Sequence, residues 1–334
     1  MRTASLLPSF IIYFHSIYLT MKIANYRPII IIAAVFSLSF NALGQQISKE
    51  EMLFLTPQWT GDRYEDGRPK VSDDVLQRMK EVTHEEAWAV MKNEGYKYQY
   101  AEGWEQINPD SVMVGRALTA TFMPGRPDIH DAIDARGKKE GKRGQNSWPV
   151  DLLVPGDVYV VDQFGIHDGG PTIGDNVANA IFAKSGNGIV YDGAVRDING
   201  MKALGSFTSY FTSYHPSHHN QQGDLNTMLI GINRPTKIRQ ATVMAGDVVL
   251  GRDGAVSFIP PHLAEKVVVT SEIVRLRDMF GHQRLRDGVY TAGEIDTRWS
   301  DEIEKDFSQW LNERIDDLPV PREQIQEILK NRTW

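Results

Sequence analysis

The residues best placed to do chemistry lie in Gly188–Asp197, which reads Gly-Ile-Val-Tyr-Asp-Gly-Ala-Val-Arg-Asp. Ile189 to Tyr191 is a short apolar run, the pattern of a buried strand, and Asp192-Gly193 is a turn signal. Just beyond it Arg196 and Asp197 are adjacent. A guanidinium and a carboxylate at the end of a buried strand can hold an anionic substrate and a metal ion side by side. A second acidic turn, Gly174-Asp175-Asn176, precedes them and opens a helix expected over 173–185. Taken singly, each has an ordinary structural explanation. An Arg-Asp pair is commonly a surface ion pair, and a Gly-Asp before a helix is commonly an N-cap.

The elements that must position these groups follow from periodicity. Val75, Met79 and Val82 are helix-spaced, and Thr83 with Glu86 forms a capping box that starts a helix carrying Trp88 and Met91. Strand-like segments fall at 112–122, 150–162, 188–192, 206–212 and 242–259. Strands alternating with helices predict an α/β domain. Residues 45–74 carry turn signals and are expected to form an N-terminal arm. Residues 123–149, with a Lys-Lys-Glu-Gly-Lys-Arg run, are expected to form a long solvated loop, with a cationic lid as the functional alternative. In the tail, Ile303, Phe307, Trp310 and Leu311 form one apolar stripe, and Pro321 starts a helix bearing Ile325, Ile328 and Leu329.

The order of the motifs resembles the RraA-like family, which includes the regulators of ribonuclease activity A and the class II 4-hydroxy-4-methyl-2-oxoglutarate aldolases. The motifs are Val112 to Ala120, Pro155-Gly156-Asp157-Val158, Gly174-Asp175, Asp192 to Asp197, Ala245-Gly246-Asp247-Val248 and Asp253-Gly254-Ala255-Val256. The resemblance spans 75–275 and implies a layered β/β/α domain, followed here by a helical extension over 276–334. It implies a divalent-metal-dependent lyase that cleaves a 4-hydroxy-2-oxo acid to pyruvate, with oxaloacetate decarboxylation as a related activity. Arg196, Asp197 and Asp175 are then the catalytic residues. Asp197 would bind Mg2+ or Mn2+ directly and Asp175 would do so through water. Gly174, Asn176, Val177, Ala178, Asn179 and Arg196 would hold the substrate, with backbone amides on its carboxylate. Glu272 from an adjacent subunit of a homotrimer would stand near the metal. The alternative is a non-catalytic binding or regulatory protein of the RraA type. The retained Asp197 and Asp175 favour the lyase. A methyltransferase reading is set aside, because no strand leads into a glycine-rich nucleotide loop.

Two departures from the family stand out. Residues 208–226 are long and carry His215, His218 and His219, whose readings run from a solvated loop through a specificity loop to a zinc site with Asp224. His167 could line the pocket or serve a turn.

Composition narrows the rest. The 334-residue chain is 41% hydrophobic with a formal charge of −7, which argues against a nucleic-acid partner. Residues 1–44 read as a signal peptide with a possible upstream start. Lys22 and Arg27 follow Met21, Ile29 to Phe40 is apolar, and Ala42-Leu43-Gly44 is a small-residue cleavage site. That apolar run is about half the ~20 residues of a spanning helix, so an exported, periplasmic protein with no lasting membrane anchor is expected. Loss of Arg2, Lys22 and Arg27 would bring the formal charge from −7 to −10. With no cysteine, disulfides and thiolate chemistry are excluded, and any metal must take oxygen or imidazole ligands.

Overall fold

The computed structural model describes residues 44–165, 170–220 and 225–331. The expected signal segment up to residue 43, His167 and Asp224 lie outside the described residues.

Eleven strands are present among the described residues: β1 (Tyr100–Ala101), β2 (Glu105–Ile107), β3 (Met113–Pro124), β4 (Asp157–Asp162), β5 (Ile189–Val195), β6 (Ser209–Tyr214), β7 (Thr227–Ile232), β8 (Thr236–Ile238), β9 (Ala241–Val243), β10 (Val248–Arg252) and β11 (Ala255–Ile259). Nine form one mixed sheet in the order β1-β11-β10-β3-β4-β5-β6-β2, with β7 also on β3. The central strands β3, β4, β5 and β6 run parallel. The long β3 pairs with β10 through its first half and with β7 through its second.

Side chains along the central strands alternate between two cores, as the two-residue strand period requires. Tyr159 and Val161 face one side with Ile189, Tyr191 and the Asp175–Ser185 helix, through Ala178 and Ile181. Val158, Val160 and Val190 face the other side with the β8–β9 hairpin, through Ile238, Ala241 and Val243. Helix, sheet and hairpin thus make the layered α/β arrangement. A third core joins β10 and β11 to the helices Asp73–Met79, His84–Asn93 and Pro261–Arg286. The predicted capping box of Thr83 and Glu86 is formed.

Three local expectations are corrected. The N-terminal arm is folded. Ser48 caps a helix over Lys49–Leu55, Met52 is buried, and Arg68 reaches Asp157 under β4 at 2.9 Å. The 123–149 segment is no loop, since Pro127–Lys139 is a helix with proline in its first turn and Arg136, Lys138 and Lys139 in its last. Cations there complement the helix dipole. Gly137 lies against the Trp148 indole, where a Cβ would come within 2.1 Å of the ring, so this glycine serves packing rather than a turn. Finally, Asp192-Gly193 does not end the strand. β5 runs on to Val195 through an irregularity between Tyr191 and Ala194, and this carries Arg196 one residue past the strand end.

The C-terminal helices Asp301–Arg314 and Arg322–Asn331 pack on the second half of the Pro261–Arg286 helix around their own apolar core, which includes Phe280, Phe307, Trp310 and Ile325. No helix among the described residues is long and apolar enough to cross a membrane.

Candidate functional site

Four of the residues singled out by sequence meet in one open cavity of about 700 Å³, lined by Asp175, Asn176, Arg196, Asp197, Ile198, Asn199, Gly200 and Tyr214. It lies at the C-terminal ends of the parallel strands, where open α/β sheets commonly bind ligands.

The turn that carries Asp175 is tied to the sheet from below. The Tyr191 hydroxyl accepts the Thr172 amide at 3.0 Å and lies 2.6 Å from the Thr172 hydroxyl. Burial pushes the Tyr191 phenol far up, so it stays protonated. The Arg196 amide donates to the Ile173 carbonyl at 3.2 Å, which locks the Gly174 turn against the end of β5. Gly174 is then the N-cap of the Asp175–Ser185 helix, with no side-chain cap.

Asp197 follows with φ +58° and ψ +42°, a left-handed conformation in which aspartate is one of the few tolerated non-glycine residues. Its Oδ2 lies 3.2 Å from the Arg196 guanidinium, and both side chains remain partly open to solvent. Two glycines make room for the acids. A Cβ at Gly174 would stand 2.5 Å from Asp197 Oδ2 and 3.1 Å from Arg196 Nε. A Cβ at Gly200 would stand 2.5 Å from Asp175 Cβ and 2.8 Å from its Oδ2. Both carboxylates and the guanidinium are therefore seated in hollows that any side chain would fill.

The remaining predicted residues divide. Asn176 lines the cavity, but its amide donates to Asp175 Oδ1 at 2.8 Å, and the Asn179 side chain donates back to the Asp175 carbonyl at 2.8 Å. The Ala178 amide is taken by the Gly174 carbonyl, and Ala178 and Val177 pack toward the core. The amides of Asn176 and Ala178 therefore already have acceptors. Glu272 is not in the cavity. It is buried within the Pro261–Arg286 helix, with both oxygens bonded to Arg78 of its own chain at 2.7 and 2.8 Å.

Gly200, Asn199 and Tyr214 belong to the cavity and were missed from sequence. Gly200 follows Asp197 in Asp-Ile-Asn-Gly, a turn composition that could have flagged it. Tyr214 is placed by its pairing opposite Val195. The histidine run separates. His219 is half-buried beside Phe122 and bonded to Thr227 Oγ1 at 2.9 Å, and desolvation brings it down to about 4, so it is a neutral packing residue. His215 bonds Ser217 within its own turn, and His218 is exposed. No group of three His, Asp or Glu placed to hold a metal occurs among the described residues.

Two carboxylates facing an open, polar cavity nevertheless fit magnesium, which dehydrates reluctantly and often takes only one or two carboxylates from the protein. Asp197 and Asp175 would hold it, with water completing its shell.

The model of the RraA-like family, described as Aldolase/RraA, matches residues 69–256. The chain belongs to the RraA-like family. That description joins aldolases to the RraA proteins, so membership does not choose between catalysis and regulation. Among solved structures, RraAS2 of Streptomyces coelicolor, described as an unusual member of the RNase ES inhibitor RraA protein family, superposes with a TM-score of 0.53 at 22% identity, covering 66% of this chain and 100% of its own. An uncharacterized protein from Pseudomonas syringae pv. tomato gives 0.53 at 18% identity over 71% of this chain and 99% of its own. A structure described under novel cellulases from gut-associated microbes gives 0.53 at 17%, over 70% and 96%. At these identities the likeness is one of fold. No curated protein matches the chain.

Proposed function

We propose that this RraA-like protein is a divalent-metal-dependent lyase that cleaves a 4-hydroxy-2-oxo acid by a retro-aldol step to pyruvate and a second carbonyl compound. One observation carries the reading: Arg196, Asp197 and Asp175 face a single cavity, with Gly174 and Gly200 holding space at the acids. A purely structural ion pair would need neither hollow.

In the reaction the C4 hydroxyl loses its proton, the C3–C4 bond breaks, and its electron pair moves onto the C2 oxygen as an enolate. Protonation at C3 then gives pyruvate, and no oxidant or reductant is required. The bound cation would supply Lewis-acid stabilisation of that developing charge. Arg196, above Gly174, presents its guanidinium to the pyruvyl oxygens, where two parallel N–H donors suit a planar oxyanion. Asp175 and Asp197 would hold the cation. Asn199 and Tyr214, which also line the cavity, are placed to meet the part of the substrate that differs between acids. Oxaloacetate loses carbon dioxide through the same enolate and is the natural second substrate. The protein is further proposed to be exported and to work as a homotrimer, as the sequence resemblance implies.

The test is pyruvate release from 4-hydroxy-4-methyl-2-oxoglutarate and oxaloacetate, with Mg2+ or with chelator, for wild type and Asp197→Ala. Release that needs the metal and is lost in the variant supports the lyase. A folded protein that binds no Mg2+ and releases no pyruvate from either acid would turn the reading to a non-catalytic RraA-type protein.

A further inference from the structure

The Gly-Asp-Val motif occurs twice, at 156–158 and 246–248, and its two copies fold alike. Both glycines have positive φ, +83° and +97°. Asp157 Oδ2 accepts the Val154 amide at 3.0 Å, and Asp247 Oδ2 accepts the Met244 amide at 2.8 Å. Each aspartate amide donates back to the carbonyl of the same residue, at 3.1 and 3.0 Å. A neighbouring cation separates the copies. Asp157 is neutralised by Arg68 at 2.9 Å. Asp247 has no such cation, and among the described residues no donor reaches its other oxygen.

Asp247 is only 3% exposed, yet it lines a cavity of about 240 Å³ on which Trp59, Tyr96, Met244, Pro260 and His262 also border. This cavity shares no lining residue with the Arg196–Asp197 site. Its wall is mostly apolar and aromatic, and no lysine or arginine lines it. Several other polar groups of the wall are engaged: His262, held toward its neutral form by burial, lies with Nε2 3.3 Å from the Tyr96 hydroxyl. The Tyr96 hydroxyl donates to Gln58 Oε1 at 3.2 Å, and the Gln99 amide nitrogen donates to the Thr242 and Phe258 carbonyls at 2.9 and 3.2 Å. Arg63 spends its guanidinium on oxygens of Thr56, Trp59 and Gly67, bracing the wall without reaching the acid. Burial, with no cation to oppose it, pushes Asp247 up to about 8. A buried carboxyl with a vacant acceptor at the floor of an aromatic pocket lacks one thing, a counter-ion.

We propose that this second cavity binds a small organic cation through a primary ammonium group, which donates to Asp247 while its carbon skeleton packs against Trp59 and Tyr96. The ligand's nitrogen takes the place that Arg68 fills at Asp157.

Benzylamine is a suitable probe, with benzyl alcohol as its neutral counterpart of similar shape. Titration calorimetry on the purified protein is expected to show one saturable benzylamine site per chain, with benzyl alcohol weaker by about tenfold or more, the order expected for losing a charge-assisted hydrogen bond. Asp247→Asn can still accept the Met244 amide and is expected to bring benzylamine down to the level of the alcohol. A wild-type crystal soaked in benzylamine gives a readout that needs no variant, and it should place the nitrogen against the Asp247 carboxylate. Equal binding of amine and alcohol, amine binding unchanged by Asp247→Asn, or a soaked cavity with no amine in it would each overturn the proposal.

Discussion

Asp197 occupies a backbone region that few side chains tolerate, and this decides how it should be tested. Asparagine accepts the left-handed conformation as readily as aspartate, so Asp197→Asn removes the charge and keeps the turn. We expect wild-type stability and loss of Mg2+-dependent pyruvate release, read by calorimetry and a coupled assay on the same preparation. The two glycines offer a test that leaves every charge in place. Gly174→Ala and Gly200→Ala each insert a methyl group 2.5 Å from an atom of Asp197 or Asp175, which must then shift. Displacing a catalytic group by about 1 Å costs on the order of 10²-fold in rate, and that is the expected fall in kcat. Full activity in both alanine variants would show that these carboxylates do not work from the positions seen here. The Arg-Asp adjacency and the Gly-Asp turn were legible because the groups lie next to each other in sequence. Gly200 left only the turn composition of Asp-Ile-Asn-Gly, and Tyr214 left no mark, because a strand pairing opposite Val195 brings it in. The surroundings of Glu272 within its own chain were hidden for a related reason. Its partner Arg78 is 194 residues away, and that bond alone shows the carboxylate to be engaged.

The β4 turn depends on a cation supplied by a segment whose turn signals predicted a loose arm. Arg68 is 2% exposed, and its removal would leave Asp157 buried without its counter-ion. Arg68→Met is therefore expected to cost about 3–5 kcal/mol in urea unfolding, the range for breaking one side of a buried pair. The β10 turn has no such cation, and the sign of its pH dependence can be worked out. Asp247 sits at about 8 in the folded chain, above the ~3.9 of an unfolded aspartate. Between those values the folded state holds a proton that the unfolded state has released. Stability from this group therefore falls as pH rises through that window and is lowest above it. The unfolding midpoint of wild type relative to Asp247→Asn should drop steadily from pH 4 toward pH 8; a constant difference would mean Asp247 is ionised throughout. Periodicity revealed most of the elements that frame both turns. It failed at Pro127–Lys139, where the charge run at its end suggested a loop although Ile129, Ile133 and Gly137 recur at four-residue spacing. That glycine is explained only by Trp148, a contact that local sequence cannot show.

The match to the RraA-like family ends at residue 256, whereas the chain continues through the 26-residue helix Pro261–Arg286 and the helices beyond it. That helix belongs to two cores. Leu263, Val267 and Val268 pack with β10 and the helices near the N-terminus, while Leu276 and Phe280 pack with the tail. Phe280 stands at the centre of an aromatic cluster, with Trp299 and Phe307 each 5.3 Å away between ring centroids. Arg277 lies 3.6 Å over the Trp299 ring, and Arg284 pairs with Asp306 at 2.8 Å. The tail core and the sheet core thus touch mainly through one rigid element, so damage to one should stay local. Phe307 is fully buried, and Phe307→Ala is expected to cost about 3–5 kcal/mol within the tail. Hydrogen exchange should then show faster opening over 292–331, with β3, β4 and β5 still protected. Metal binding at Asp197 should be unchanged, since none of its cavity residues touches the tail core. Loss of protection in β4 and β5 as well would mean that the extension and the family domain fold as one cooperative unit, and that the tail is required for the site to form.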